Sequence, residues 1–174
     1  MVSKKINAVI ALCISALLLF HNAFNSAMMI RGTVEQSPVV PARILFTLVA
    51  VHALISLYFL LVRRDGKGSS KRYASLCRAT RIQRGTAIAM LPLICFHAFF
   101  HPPVMGIVPI LINHAVMICL AAVHITVSIP NALISLGIIS SSRAHGRARV
   151  VSGIVAGIML VTGITAGILE GMAL

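Results

Sequence analysis

Acidic residues are nearly missing from this chain of 174 residues, which contains three, at Glu35, Asp65 and Glu170. Charged residues of both signs make up 10% of the sequence, whereas about a quarter of a soluble domain is charged. Hydrophobic residues account for 59%. This balance excludes an ordinary soluble domain and predicts an integral membrane protein.

Cysteine is also scarce, and its four positions show no Cys-x-x-Cys spacing. They are Cys13, Cys77, Cys95 and Cys119. Three fall inside apolar runs, where cysteine behaves as a small hydrophobe, so neither a disulfide framework nor a zinc site is indicated. The net charge of +12 does not indicate a nucleic-acid partner, because the basic residues lie between apolar runs and form no recognisable binding module.

Five apolar runs are each close to the ~20 residues that a helix needs to cross ~30 Å of hydrocarbon. They predict one all-α membrane domain over residues 1–174, a bundle of five transmembrane helices. The predicted spans are residues 6–28, 43–62, 85–104, 109–138 and 150–172. The fourth run is long, which predicts a tilt or a kink at Pro130. The first run follows "SKK" as a signal peptide would, but "NAFNSA" is a poor cleavage site, and we expect the segment to be retained.

The distribution of Lys and Arg predicts the orientation of the bundle. Thirteen basic residues lie at the N-terminus or in the second and fourth connections, and two, Arg31 and Arg43, lie on the other side. The thirteen are Lys4, Lys5, Arg63, Arg64, Lys67, Lys71, Arg72, Arg78, Arg81, Arg84, Arg143, Arg147 and Arg149. Because cytoplasmic loops are enriched in Lys and Arg, we expect a cytoplasmic N-terminus and an external C-terminus.

Histidines outnumber acids, seven to three, and four of them lie well inside separate predicted spans. These are His21, His52, His97 and His124. One interpretation is that each imidazole is neutral and bonds a neighbouring helix. One histidine in each of four consecutive spans instead suits haem, because neutral imidazole is a common axial ligand and a haem between helices takes one from each side. Four such histidines predict two bis-imidazole haems and electron transfer.

Depth suggests how the four histidines group. His21 and His97 lie ~18–23 Å from the cytoplasmic side, at 1.5 Å per residue, and His52 lies ~16 Å from it. The fourth span overshoots the bilayer, so the depth of His124 is less certain. Grouping His21 with His97 toward the outside, and His52 with His124 nearer the inside, agrees with these depths, but depth alone does not decide it.

The sequence around each of these histidines forms a recognisable series. The four segments are "SALLLFHNAFNSA", "LVAVHALISLY", "RIQRGTAIAMLPLICFH" and "AAVHITVSIPNALISLGI". Together they resemble the cytochrome b membrane subunit of succinate dehydrogenases and fumarate reductases, of the five-helix, two-haem type. In that family the third segment begins with Gln-Arg-x-Thr-Gly, whereas here Gly85 precedes Thr86. Each motif is loose, and the specific feature is four histidines in register across four spans.

The resemblance implies the ligand pairs and the partners. His21 and His97 would bind the distal haem b, and His52 and His124 the proximal haem b. Arg84 would pair with a haem propionate or the iron–sulfur subunit, unless it is one more cytoplasmic charge. A flavoprotein with covalent FAD and an iron–sulfur subunit would dock on the cytoplasmic face, in the inner membrane of a prokaryote.

The resemblance also implies the reaction in which the complex takes part. Electrons would pass between a dicarboxylate at the flavin and menaquinone or ubiquinone in the membrane lipid, so this chain would be a non-catalytic electron-transfer subunit. A dimer of complexes stays open. The chain departs from the family in its compact loops and in its lack of membrane carboxylates. Glu35 is the one acid at the outer face, either a quinone-site group or a solvated loop charge.

The segment "LICFHAFFH" places His97 and His101 four residues apart, on one face of a helix. A zinc pair of the His-Glu-x-x-His type is not indicated, because Ala98 follows His97. His101 precedes Pro102, which predicts an interfacial position near a quinone head group, a haem edge or water. In a different register His101, instead of His97, would be the haem ligand.

Three other functions stay open at this stage. The first is a haemless membrane anchor that binds quinone. The second is a cytochrome b subunit of a hydrogenase or formate dehydrogenase, in which two ligands normally share one helix, as His114 and His124 share the fourth span. The third, a small transporter, lacks the inverted repeat and the broken helices that would support it.

Overall fold

The computed structural model describes residues 2–31, 39–61, 74–99 and 107–173. These residues form helices and short turns, with no strand among them. The helices are α1 (Val2–Ile30), α2 (Val39–Leu61), α3 (Ala74–Phe99), α4 (Ile107–Leu136) and α5 (Ser142–Ala173). Each contains a segment that is long and apolar enough to cross a membrane. The described part of the chain thus confirms an all-α protein with five apolar helices.

Two helices begin well before the predicted spans. α3 starts at Ala74 and α5 at Ser142, ahead of the predicted starts at residues 85 and 150. An apolar run marks the part of a helix that suits hydrocarbon, whereas backbone hydrogen bonding continues into polar sequence beyond it. The arginines of these extensions therefore lie on helices and not in loops. The predicted end of the third span, at residue 104, lies outside the described residues.

The fourth helix is continuous through Pro130. α4 has 30 residues, which corresponds to ~45 Å at 1.5 Å per residue and exceeds the ~30 Å of a hydrocarbon core. Its length therefore agrees with the long fourth run of the sequence. Pro130 is fully buried, so its ring contributes to packing inside the helix assembly.

The turn between α4 and α5 is specified by local sequence. Gly137 has a φ of 80°, a left-handed conformation that glycine adopts without a Cβ penalty. The N–H of Ile138 donates to the carbonyl of Leu133 at 3.0 Å, as in a Schellman motif that ends a helix. Ser141 Oγ then accepts from the N–H of Ala144 at 3.1 Å, capping the start of α5. This short connection produces an α-helical hairpin.

The central element of the fold is α4, which packs against α1, α3 and α5. α1 additionally contacts α2 and α5, and α2 packs chiefly along α1. The buried hydrophobic core consists of Ile118, Ala121, Ala122, Ile125, Ala156 and Met159. The core therefore lies mainly between α4 and α5.

On α5, small residues are among the most buried side chains, and several large aliphatic residues face outward. On α5, Ala156 and Ala166 are almost completely buried, whereas Ile154, Ile158 and Val161 are exposed. This arrangement is the reverse of a soluble helix bundle and is typical of helices in lipid, where small residues let backbones approach closely. The exposed apolar surface therefore suits a hydrocarbon environment.

Gly163 is a point of close approach between three helices. A Cβ built on this buried glycine of α5 would overlap Ile118 of α4 and would lie 2.8 Å from Asn22 Oδ1 of α1. The Asn22 amide donates to Thr162 Oγ1 at 3.1 Å and to the Met159 carbonyl at 3.3 Å. Gly163 and Asn22 thus set the spacing of α1, α4 and α5.

We predict that Gly163→Ala lowers the stability of the bundle relative to Gly157→Ala. Gly157 is a matched control on the same helix, because a Cβ there meets nothing within 4 Å. Overpacking a well-packed site costs about 1–3 kcal/mol, and the gain in helix propensity from Gly to Ala is common to both variants. Unfolding midpoints in detergent mixtures measure the difference. Equal midpoints for the two variants would show that α1, α4 and α5 do not meet closely at Gly163.

Candidate functional site

His52 of α2 and His124 of α4, the predicted proximal pair, lie near one another. Both side chains are partly buried, and their imidazoles are close enough to interact electrostatically. The helices that carry them make no more than slight contact within the described residues, since α2 packs chiefly along α1. The two imidazoles therefore interact although the helices that carry them are not closely packed.

The ring of His124 is held by two oxygen atoms of α3. Its Nδ1 lies 3.0 Å from Thr86 Oγ1 and 3.2 Å from the Gln83 carbonyl oxygen. The Thr86 hydroxyl is itself 2.8 Å from the Ile82 carbonyl, to which it donates. Because a carbonyl oxygen can only accept, Nδ1 of His124 carries the hydrogen and donates it. Nε2 is then the nitrogen with the free lone pair.

This arrangement of His124 is the one found at histidines that bind metals. Such a histidine almost always donates its other ring N–H to a carboxylate, a backbone carbonyl or water, which fixes the tautomer and the ring orientation. Here the backbone carbonyl of Gln83 and the hydroxyl of Thr86 supply these contacts. Nε2 of His124 therefore has the free lone pair that a metal ligand needs.

Gln83 also connects to α4 through its side chain. The Asn131 amide donates to Gln83 Oε1 at 2.9 Å. Asn131 lies seven residues after His124, or two helical turns, so both side chains project from the same face of α4. Gln83 and Thr86 lie three residues apart on α3, among the arginines of its first half. Their assignment as partners of His124 depends on how α3 packs against α4.

His52 has one nitrogen that protein atoms leave unsatisfied. Nδ1 of His52 is buried and has no hydrogen-bond partner within the described part of the chain. A buried polar atom without a partner costs about 1–3 kcal/mol, and such atoms are rare in native proteins. Nδ1 of His52 therefore lacks the hydrogen-bond partner that a buried ring nitrogen normally has.

His21 of α1 is covered by an amide from its own helix. Asn25, one turn further along, places its Nδ2 3.0 Å from His21 Nε2. The same amide nitrogen lies 3.4 Å from His21 Nδ1, and since an amide nitrogen donates, the ring nitrogen that carries no hydrogen accepts the bond. A metal at Nε2 would require the Asn25 side chain to rotate away. The imidazole of His21 also interacts electrostatically with that of His114 on α4.

His97, the predicted partner of His21, lies in the last turn of α3 and is exposed. Its ring centroid is 6.0 Å from that of His114, with the ring planes tilted by 42°. The structure therefore brings both members of the predicted distal pair to His114. In the sequence, His114 stood out only as a second histidine on the fourth span. His97 and His114 lie on either side of the α3–α4 connection, and this position is the sequence feature that indicates their contact.

The other predicted site residues have different locations. Arg84 is exposed on α3, directly after Gln83. His101 and Glu35 lie outside the described residues, so their predicted positions remain predictions. In the described ranges no three His, Cys, Asp or Glu side chains form a group that could hold a metal ion. The histidines are thus arranged as near neighbours and not as a ligand set around a single ion.

Comparison with protein-family models, with curated proteins and with solved structures found no match to this chain. The functional proposal below therefore depends on the histidines, on the groups that hold them and on the sequence resemblance.

Proposed function

We propose that this chain is the two-haem cytochrome b membrane-anchor subunit of a succinate:quinone oxidoreductase, acting as a succinate dehydrogenase or a fumarate reductase. The observation that carries the proposal is His124, whose Nδ1 donates to Gln83 and Thr86 while Nε2 stays available beside His52. An imidazole inside an apolar helix is costly and is normally retained for function. Bis-imidazole haem accounts for this pairing because it uses one neutral imidazole from each of two helices.

The residues present fit a haem at the inner pair. His52 and His124 would hold the proximal haem b, since they lie on two helices that are not closely packed and their imidazoles interact electrostatically. His21 and His97 would hold the distal haem b in the family's arrangement. Bis-imidazole haem supplies one-electron transfer and leaves no open iron position for a substrate. Thr86 and Gln83 would orient His124 and keep its Nδ1 protonated.

The distribution of basic side chains supports the proposed orientation and partners. Lys4 and Lys5 lie in the first turn of α1, and arginines begin both α3 and α5. These helices alternate with α2, which carries a single Lys or Arg near its start, Arg43, and with α4, which contains neither residue. By the preference of cytoplasmic segments for Lys and Arg, this end of the bundle faces the cytoplasm. There the iron–sulfur subunit and the flavoprotein would dock, with Arg84 close to the contact.

The chain itself would perform no bond-making step with the dicarboxylate, which the flavoprotein would bind. Its own contribution would be to hold two haems in the inner membrane of a prokaryote and to offer a surface to menaquinone or ubiquinone. The proposed direction, succinate oxidation or fumarate reduction, depends on the potential of that quinone.

A second candidate, the cytochrome b subunit of another membrane oxidoreductase, is favoured by one observation. α4 carries both His114 and His124, and both side chains are partly buried. The soluble subunits that purify with the chain distinguish the two candidates. A flavoprotein with covalent FAD supports the first, and a hydrogenase or formate dehydrogenase subunit supports the second.

We predict that His52→Ala and His124→Ala each remove one of two haems from the purified complex. Either substitution deletes an axial ligand of the same site, so the two single variants and the double variant should retain the same haem. Reduced-minus-oxidised absorption spectra and haem per chain measure this result. His145→Ala, at the start of α5 and far along the chain from both pairs, is the matched control. Retention of both haems in His52→Ala and His124→Ala would reject the inner ligand assignment.

We predict that Thr86→Val weakens haem binding at the inner site by roughly 10- to 100-fold, the range typical for loss of an outer-shell partner. Valine keeps the shape of threonine but cannot accept from His124 Nδ1. Thr86→Ser keeps the hydroxyl and should resemble the native protein. Thr47→Val is a second control, since that hydroxyl donates to the Arg43 carbonyl of its own helix. Haem retention and the midpoint potential of the inner haem are the measurements, and identical values for Thr86→Val and Thr86→Ser would contradict the prediction.

A further inference from the structure

A groove with a volume of about 320 Å³ lies between α3 and α5, over one face of α4. α3 contributes Ile82 to its lining, α4 contributes residues within 122–127, and α5 contributes residues within 149–157. α4 packs against both neighbours, whereas α3 and α5 are not a closely packed pair among the described residues. The face of α4 between these two helices is therefore left open.

Two glycines of α5 leave space along one side of this groove. Arg149, Gly153 and Gly157 follow one another at intervals of four and so lie on one face of the helix. A Cβ at Gly157 would meet nothing within 4 Å, and the atom nearest to a Cβ at Gly153 would be Thr126 Cγ2, at 3.7 Å. Room for a chain of methylene groups therefore remains beside the backbone of α5.

The groove has a charged end and an apolar end. Arg149 is exposed and directly precedes the apolar run of α5, which begins at Val150. Gly157 lies eight residues after Arg149, or ~12 Å along the helix axis at 1.5 Å per residue. The groove therefore begins at a cation beside the edge of the apolar sequence and continues along small and apolar residues.

The helices that line the groove supply no acidic partner for Arg149. α3 and α4 contain neither Asp nor Glu. Glu170 belongs to α5 but lies 21 residues further along it, or ~30 Å at 1.5 Å per residue. Arginine binds phosphate through parallel hydrogen bonds from its planar guanidinium. An anion from outside these three helices would therefore complement the charge of Arg149.

The remaining polar side chain of the lining favours an acyl chain over a quinone ring. Thr126 donates its hydroxyl hydrogen to the Ala122 carbonyl of its own helix at 2.8 Å. The carbonyl oxygens of a quinone accept hydrogen bonds, and beyond Arg149 the side chains of the groove have no free donor to offer them. An acyl chain requires no donor.

From this geometry we infer that the groove binds an anionic phospholipid, with its phosphate at Arg149 and one acyl chain between α3 and α5. Basic pockets between membrane helices are a setting in which anionic head groups bind. The lipid would fill the space between two helices that do not pack closely, and so would join α3 to α5. The inference does not depend on the proposed haem sites, because no histidine lines the groove.

The test of the charged end measures which phospholipid stays on the purified protein, kept with the subunits that accompany it. The protein is incubated in micelles with equal amounts of phosphatidylglycerol and phosphatidylcholine, washed, and its bound lipids are counted by mass spectrometry. We expect the native protein to retain phosphatidylglycerol preferentially. Arg149→Gln should reduce this preference by about five-fold, since one basic side chain near an anionic lipid is worth roughly that factor.

Arg147→Gln is the matched control, because Arg147 is exposed on the same helix but does not line the groove. It should keep the native preference for phosphatidylglycerol. The same lipid ratio in all three proteins would overturn the inference. Equal losses in Arg149→Gln and Arg147→Gln would overturn it as well, since they would show an effect of surface charge alone.

Gly157→Leu tests the apolar end of the groove separately from its charge. The leucine side chain would occupy the open space beside α5, so we expect the bound phosphatidylglycerol to fall. Gly146→Leu should retain the native amount, because a Cβ at Gly146 also meets nothing within 4 Å but this residue lies outside the groove. Should Gly157→Leu fail to fold, the result for the exposed Arg149 decides the question alone.

Two results with folded Gly157→Leu would overturn the inference. One is an unchanged amount of phosphatidylglycerol. The other is loss of a ubiquinone or menaquinone that the native protein retains, with phosphatidylglycerol unaffected, which would assign the groove to quinone.

Discussion

An imidazole inside an apolar helix bundle needs hydrogen-bond partners. The contacts that supply them to His124 account for much of the polar contact between α3 and α4. Gln83 and Thr86 lie on the polar first half of α3, and the carbonyl of Gln83 and the hydroxyl of Thr86 both contact Nδ1 of His124. Asn131 extends the contact by binding the Gln83 side chain. These bonds fix how α3 lies against α4. They use Nδ1 of His124 and leave the lone pair of Nε2 free.

Close packing of small residues holds together the helices around these polar contacts between α3 and α4. Without a hydrophobic driving force between helices in lipid, association depends on van der Waals contact and interhelical hydrogen bonds. Gly163 allows α1, α4 and α5 to meet, and the Asn22 amide joins α1 to α5 beside it. α2 stands apart from this tight assembly and packs chiefly along α1. α2, which carries His52, is therefore the helix that could most easily move to make room for a bulky planar group.

The apolar runs predicted the five helices well, because a helix that crosses hydrocarbon needs a long, continuous apolar sequence. They predicted helix starts poorly at α3 and α5, since helical hydrogen bonding continues through polar turns that hydropathy cannot register. The grouping of His52 with His124 as ligands of one haem stays a prediction. The contact of the His97 ring with that of His114 was not anticipated. Which imidazole lies beside which depends on helix rotation and packing, and these are tertiary properties.

The most direct test of the account is the haem content of the native chain, purified with its soluble partners from its own membrane. We predict b-type bands in the reduced-minus-oxidised spectrum and two haems per chain, because four partly buried or paired histidines on four helices suit two bis-imidazole sites. A pure complex whose spectrum lacks these bands would contradict the account. It would leave a haemless membrane anchor whose histidines serve only to join helices.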